Sequence, residues 1–182
     1  MKKTALLLAE GFEEVEALTV VDLLRRADVV CDMVALGEEA EVRGSHGIRV
    51  LADRLFAGTD FAAYDGLILP GGLAGTRRLA ADERVAEQLR RFHAEGRITA
   101  AICAAPTVLA AAGLLQGKRA VCYPGMEPEL TGAEAGAESV VTDGTVITSR
   151  GVGTAIPFAL ELVRLFAGAK TAEKLARGIV YR

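Results

Sequence analysis

The sequence predicts a doubly wound α/β domain, a mostly parallel sheet with helices on both faces, and three observations predict it. Short apolar runs of strand length alternate with segments of helical period along the whole chain. Such alternation builds βαβ units, whose parallel strands need helices on both sides of the sheet. The 182 residues contain 20 glycines, more than an all-helical bundle needs and suited to tight strand-to-helix turns. Finally, the chain is of single-domain length, and no linker, internal repeat or low-complexity tract divides it.

Thr4 to Ala9 reads as a fully buried strand. Glu13 to Arg26 follows as a helix, with Val15, Leu18, Val21 and Leu24 expected on its inward face. Val29 to Leu36 is a second strand, and Glu41 to Leu51 has the form of a hairpin that turns between Gly44 and Gly47. Asp65 to Leu69 is a strand that ends at Pro70-Gly71-Gly72, and Asp82 to Glu95 an amphipathic helix closed by Gly96. Ile98 to Ile102 is a short apolar strand leading directly into Cys103, and Thr107 to Leu115 a buried helix that stops near Gly117. Arg119 to Cys122 is expected to be a strand. Asp143-Gly144 is a strong hairpin signal between Val140–Thr142 and Thr145–Thr148. Thr154 to Phe166 reads as a helix with Thr154 as its N-cap, and Thr171 to Arg177 as a last short one.

Composition narrows the function. Hydrophobic residues make up 51% and charged residues 25%, the profile of a folded globular chain, and with no tryptophan the core must be built from aliphatic residues. Net charge is -3 and no basic block stands out, so the field a nucleic-acid binder needs is missing. The apolar run at residues 5–9 is short for a signal sequence and leads at once into glutamates, so it reads as a strand. No stretch approaches the length of a membrane span. Three cysteines, at 31, 103 and 122, form neither a disulfide framework nor a metal-ligand spacing, which fits a reducing, cytoplasmic setting. With only His46 and His93 available, and both expected at the surface, no metal site is expected.

Open α/β sheets gather reactive groups outside the carboxyl ends of their strands. Three pieces of this chain end there: residues 10–16, Pro70-Gly71-Gly72 and Cys103. Cys103 lies at a strand-to-helix junction among Ala101, Ala104 and Ala105, the setting of a nucleophile elbow. A thiol at a helix N-terminus is favoured as thiolate, and the N–H groups of Gly72 and Ala104 would form an oxyanion hole if the two loops meet. Cys31 and Cys122 lie inside apolar strand patterns, where inert burial is expected. The acidic residues at 13, 14 and 16 read from pattern alone as a helix cap.

The runs LLLAEGFEEVEA, YDGLILPGG, AAICAAP and DGTVITSRGVGTA occur in that order. Through them the chain resembles the ThiJ/PfpI family, in the branch of the Parkinson-disease-associated protein deglycase, along essentially its whole length. The resemblance implies a single flavodoxin-like, class I glutamine amidotransferase-like sandwich over residues 1–182. It implies that Cys103 is the reactive cysteine, that Glu16 is a protonated partner hydrogen-bonded to it, and that Gly72 and Ala104 are the backbone donors. A neutral Glu16 makes physical sense, because an ionised carboxylate beside a thiolate would raise the pKa of both. Gly71, Tyr123, Arg150 and Gly151 are implied as substrate-side residues. Some members of the family carry His-Pro where this chain has Tyr123-Pro124, and Tyr is a poor general base, so no Cys-His-acid triad can be assembled. Val152 replaces the proline of the family's TSRGPGT, and the Ser149–Thr154 run reads either as an anion-binding nest or as a structural turn.

The resemblance further implies a cofactor-free, glyoxalase- or deglycase-type enzyme. Its substrates would be small aldehydes such as glyoxal and methylglyoxal, or glycated proteins, and its products hydroxy acids. The alternative is a redox sensor or redox-regulated chaperone acting through a Cys103 sulfinic acid, with an amidase or cysteine protease as a minor third reading. A homodimer with the first helix near its interface is implied, and neither a nucleic-acid nor a membrane partner is expected.

Overall fold

The computed structural model describes residues 1–181. In chain order its elements are β1 (Lys3–Leu8), α1 (Glu14–Arg26), β2 (Val30–Ala35), β3 (Glu41–Arg43), β4 (Arg49–Leu51), β5 (Arg54–Leu55), β6 (Gly66–Leu69), α2 (Leu73–Ala81), α3 (Glu83–Ala94), β7 (Ile98–Ile102), α4 (Pro106–Ala111), β8 (Arg119–Ala120), β9 (Glu134–Ala135), β10 (Val140–Asp143), β11 (Val146–Ser149), α5 (Ala155–Ala167) and α6 (Ala169–Gly178). Seven strands form the main sheet in the order β10-β11-β7-β6-β1-β2-β5. All its pairings are parallel except β10 with β11, which the Asp143-Gly144 turn joins as a hairpin.

Leu6, Ile68, Ala100 and Ile147 stand in register across four adjacent strands, and their side chains pack with those of α1 and α5 on one face. Leu7, Leu67, Leu69 and Ala101 point the other way, into a second core with α3 and α4. Each leucine or isoleucine wholly removed from water in this way contributes about 1.5–3 kcal/mol of transfer free energy. Burial on both faces is what makes β1, β6 and β7 read as uninterrupted apolar runs. From β1 the sheet grows one way through β2 and the other way through β6 and β7. The loops after β1 and β6 therefore part at a switch point, and β7 delivers Cys103 beside it.

Several expectations need correcting. Val15 and Leu18 are exposed, and the inward face of α1 carries Glu14 and Glu16 together with Ala17, Val20, Val21, Leu23 and Leu24. Helix α2 was not foreseen; it starts directly after Gly72 and is only nine residues long. The strand at residue 119 stops at Ala120, so Cys122 is buried in a loop and not in a strand. Helix α4 is six residues long and ends well before Leu115. Thr154 does not cap α5 with its side chain. Its Oγ1 instead accepts from the N–H groups of Arg150 and Gly151, at 3.1 and 3.0 Å.

Candidate active site

Cys103 is half-buried at the end of β7 and adopts φ 65°, a left-handed conformation that side-chain-bearing residues seldom tolerate. Two bonds hold it there. Its N–H donates to the Ser149 carbonyl at 3.1 Å, and its carbonyl accepts from the Tyr123 N–H at 2.8 Å. The expected helix N-terminus is displaced, because Cys103, Ala104 and Ala105 form a turn and α4 begins only at Pro106. The amides of Gly72 and Ala104 bond the thiol directly and favour its ionised form. The predicted pair of backbone donors is therefore assembled, and it is aimed at the sulfur.

Glu16 is fully buried. Helix α1 delivers it from across the switch point, and its Oε2 accepts from the Gly71 N–H at 2.9 Å while the same carboxyl hydrogen-bonds the Cys103 thiol. Among the described residues its Oε1 has no hydrogen-bond partner. Burial, the largest influence, raises the carboxyl from 4.5 to about 7, against the hydrogen bonds from Cys103 and Gly71. Burial also raises the Cys103 thiol, to about 12, with the negative charge of Glu16 and the hydrogen bond to it adding to the rise. Those last two contributions vanish when Glu16 holds its proton, so a neutral carboxyl lets the thiol ionise more readily than a charged one does. Cys31 and Cys122 are also pushed up to about 11 by burial, but neither has such a partner.

Gly71 is indispensable to this arrangement. A Cβ there would lie 2.5 Å from both the Cys103 Cβ and the Glu16 Oε2. Gly72, at φ 86°, passes so close to the Gly11–Glu13 backbone that a Cβ would come within 2.4 Å of the Gly11 carbonyl oxygen. That close approach locks the loop after β1 to the loop after β6, reinforced by the Glu13 N–H bond to the Gly71 carbonyl at 2.9 Å.

Cys103, Glu16, Gly72, Ala104, Tyr123, Arg150 and Gly151 all border one open cleft of about 970 Å³. Gly71 lies beneath it, packed on the thiol. The anion-nest reading of residues 149–154 fails, because Thr154 already occupies the Arg150 and Gly151 N–H groups. Arg150 instead sends Nη1 to the Ala137 carbonyl at 3.2 Å.

Two features escaped sequence reasoning. Leu73 stands exposed on the cleft wall, yet no motif marks it, and Val152, met in the sequence only as a departure from the family's run, is exposed on the same cleft. Glu14 is no helix cap. It is buried, and it accepts from the His46 N–H at 2.7 Å, the His46 ring at 2.9 Å and the Ser45 hydroxyl at 3.1 Å, all in the β3–β4 turn. Burial would raise its carboxyl, but these bonds outweigh it and bring the pKa to about 2. Glu13, Glu14 and His46 converge closely enough to suggest metal ligands, yet the hydrogen bonds of the turn account for the convergence without an ion. The exposed His46 thus ties the hairpin to the start of the helix that carries Glu16.

Comparison with known proteins places this geometry among relatives. Residues 2–165 match the DJ-1/PfpI family. The Drosophila melanogaster protein dj-1beta is 38% identical over 99% of this chain and 98% of its own. Its crystal structure superposes with a TM-score of 0.96, covering 100% of this chain and 98% of that one. DJ-1 of Toxoplasma gondii, solved in an oxidized form, is 34% identical with a TM-score of 0.95, covering 100% and 99% of the two chains. A deglycase of Pyrococcus abyssi is 31% identical over 90% of this chain and 98% of its own.

Proposed function

The chain belongs to the DJ-1/PfpI family, and from that premise we propose that it converts small 2-oxoaldehydes, or their adducts on proteins, to 2-hydroxy acids without a cofactor. Cys103 is the nucleophile and Glu16 the proton carrier. One observation carries this reading: a wholly buried carboxyl keeps its proton to about pH 7 while touching the thiol, and its second oxygen is unpartnered. The Pyrococcus abyssi relative, a deglycase, supports the same class of chemistry.

The thiolate adds to the aldehyde carbon, and the developing alkoxide takes the proton of Glu16, giving a hemithioacetal. Glu16, now a carboxylate, removes the hydrogen from that carbon, and the electron pair moves through an enediol toward the neighbouring ketone. Glu16 returns that proton to the ketone carbon, while the hydroxyl proton of the hemithioacetal passes to the neighbouring, former ketone oxygen. The aldehyde carbon is thereby oxidised to a thioester and the ketone reduced to a carbinol, with no external redox partner. Water then cleaves the thioester, releasing the hydroxy acid and regenerating the thiol. A carboxyl that titrates near neutrality suits both halves of this proton relay. As the sulfur becomes bonded to carbon, the Gly72 and Ala104 amides are freed to bind the substrate oxygen.

The test is lactate formation from methylglyoxal by reduced protein, compared with Cys103→Ala and Glu16→Gln. Both variants should lose turnover, and a Cys103→Ala protein that keeps its rate would sink the mechanism.

A second reading, redox sensing, is favoured by the oxidized Toxoplasma relative and by the same neutral Glu16. Peroxide oxidises the thiolate stepwise to a sulfinic acid, which the Glu16 O–H stabilises by donation. Intact mass after peroxide should show a gain of two oxygens that Cys103→Ala abolishes. Equal oxidation of all three cysteines would count against it.

A further inference from the structure

The cleft is far larger than methylglyoxal needs. Its volume of about 970 Å³ lies at the upper end of sites that enclose much bulkier ligands. What fills the remainder depends on its walls. Leu73, Tyr123 and Val152 are 51%, 52% and 49% exposed, and all three border the cleft that holds Cys103. Exposed apolar side chains scattered singly are unremarked on a protein surface, whereas three around one reactive thiol form a binding wall. Ionic selection is weak here, because Glu13 and Glu129 oppose Arg77 and Arg150 around the same opening.

The wall is fixed relative to the chemistry. The Tyr123 backbone bonds the Cys103 carbonyl at 2.8 Å, and its own carbonyl accepts from the Met126 N–H at 3.0 Å. Gly151 separates the Tyr123 ring from Glu16: a Cβ placed there would lie 3.6 Å from the ring and 3.9 Å from the unpartnered Glu16 Oε1. One substituent's length therefore separates the proton carrier from an aromatic face. Tyr123 and Val152 are also the two positions at which this chain departs from the motifs it otherwise follows.

We infer that Leu73, Tyr123 and Val152 form a site for the substituent of the substrate, and that the cleft selects 2-oxoaldehydes bearing an aryl or branched alkyl group over methylglyoxal. The inference rests on the aldehyde reading given above. The reaction is unchanged and balances in the same way, with phenylglyoxal and water giving mandelate and a proton.

The experiment measures kcat/KM for phenylglyoxal and methylglyoxal, by mandelate and lactate formation, on a Cys103→Ala background control. The wild type should prefer phenylglyoxal by about tenfold or more, the scale of discrimination that apolar contacts supply. Because the two aldehydes differ in intrinsic reactivity, the deciding quantity is the change in that ratio on substitution. Leu73→Ala with Val152→Ala, and separately Tyr123→His, should lower the ratio about tenfold, chiefly through KM for phenylglyoxal. A ratio unmoved by both sets of substitutions would overturn the inference while leaving the aldehyde chemistry intact. Absence of Cys103-dependent product from either aldehyde would instead overturn the underlying reading. All three side chains are half exposed, so the variants retain the packed core and a loss of folding does not confuse the outcome.

Discussion

Replacing Glu16 by Gln tests the buried proton directly, because its signature lies in stability as well as in turnover. The carboxyl titrates at about 7 in the folded protein, against 4.5 for the unperturbed group. Between those values the folded state holds a proton that the unfolded chain has released, so the unfolded state binds fewer protons and stability must fall as pH rises. The benefit of the neutral carboxyl is complete below pH 4.5 and is lost through about pH 7. At about 1.4 kcal/mol per pH unit, this amounts to about 2–3 kcal/mol between pH 5 and pH 8. Gln occupies nearly the same volume and cannot titrate. Urea unfolding of reduced wild type and Glu16→Gln at pH 5 and pH 8 isolates the effect, since the other carboxylates cancel in the difference. The variant should gain about 2–3 kcal/mol on the wild type across that range, a relative midpoint shift of about 1 M urea. Parallel stability curves for the two proteins would refute the claim that Glu16 keeps its proton near neutrality.

Further outcomes follow from the same contacts. Alkylation of Cys103 by a neutral reagent should stay slow through neutral pH and rise only well above the ordinary thiol value of ~8.5, and Glu16→Gln should move that rise to lower pH by removing the carboxylate's charge; a wild-type step near ~8.5 that the variant leaves in place would refute the coupling. Gly71→Ala would drive a methyl group into Cys103 and Glu16, and should cost about 1–3 kcal/mol with loss of turnover; an unchanged melting temperature would contradict the geometry. Glu14→Gln should cost about 1–3 kcal/mol at neutral pH. Because the Glu14 pKa is depressed, that gap should close as pH falls from 4.5 through about 2, which acid unfolding monitored by circular dichroism would show. Finally, the exposed Val15 and Leu18 on α1 support a homodimer built on that helix. Light scattering should report two chains for the wild type and one for the Val15→Glu, Leu18→Glu double variant, and a monomeric wild type would dispose of this assembly.

The doubly wound plan was legible because β1, β6 and β7 are buried on both faces and so carry no polar interruption. Helix α1 shows where such reading fails. Apolar periodicity assigned Val15 and Leu18 to the core, whereas the true inward face contains two glutamates, each held by partners distant in sequence. Glu16 became visible through family resemblance, and Glu14 through neither route. Its partners sit in a hairpin turn more than thirty residues away, and nothing in EVRGSHGIRV announces that the turn will fold back onto a helix start. Helix α2 was hidden by its shortness and by Gly75, which a helical pattern does not favour. The elbow was found, but its electrostatic basis shifted from a helix terminus to two individual amides once the turn before α4 was seen.

The left-handed backbone of Cys103 has a consequence for what selection can keep at this position. An L-residue at φ 65° costs about 1–2 kcal/mol relative to its relaxed conformation, a cost that glycine escapes. Close by, Glu16 carries its own penalty whenever it ionises. The fold would thus be more comfortable with a glycine in one place and an uncharged side chain in the other. A lineage that drifted under pressure for stability alone would shed both residues first, while the surrounding sheet stayed intact. Stabilising this protein by untargeted selection should therefore yield hardier chains that have gone silent, and the pair itself serves as a marker of whether use is still being enforced.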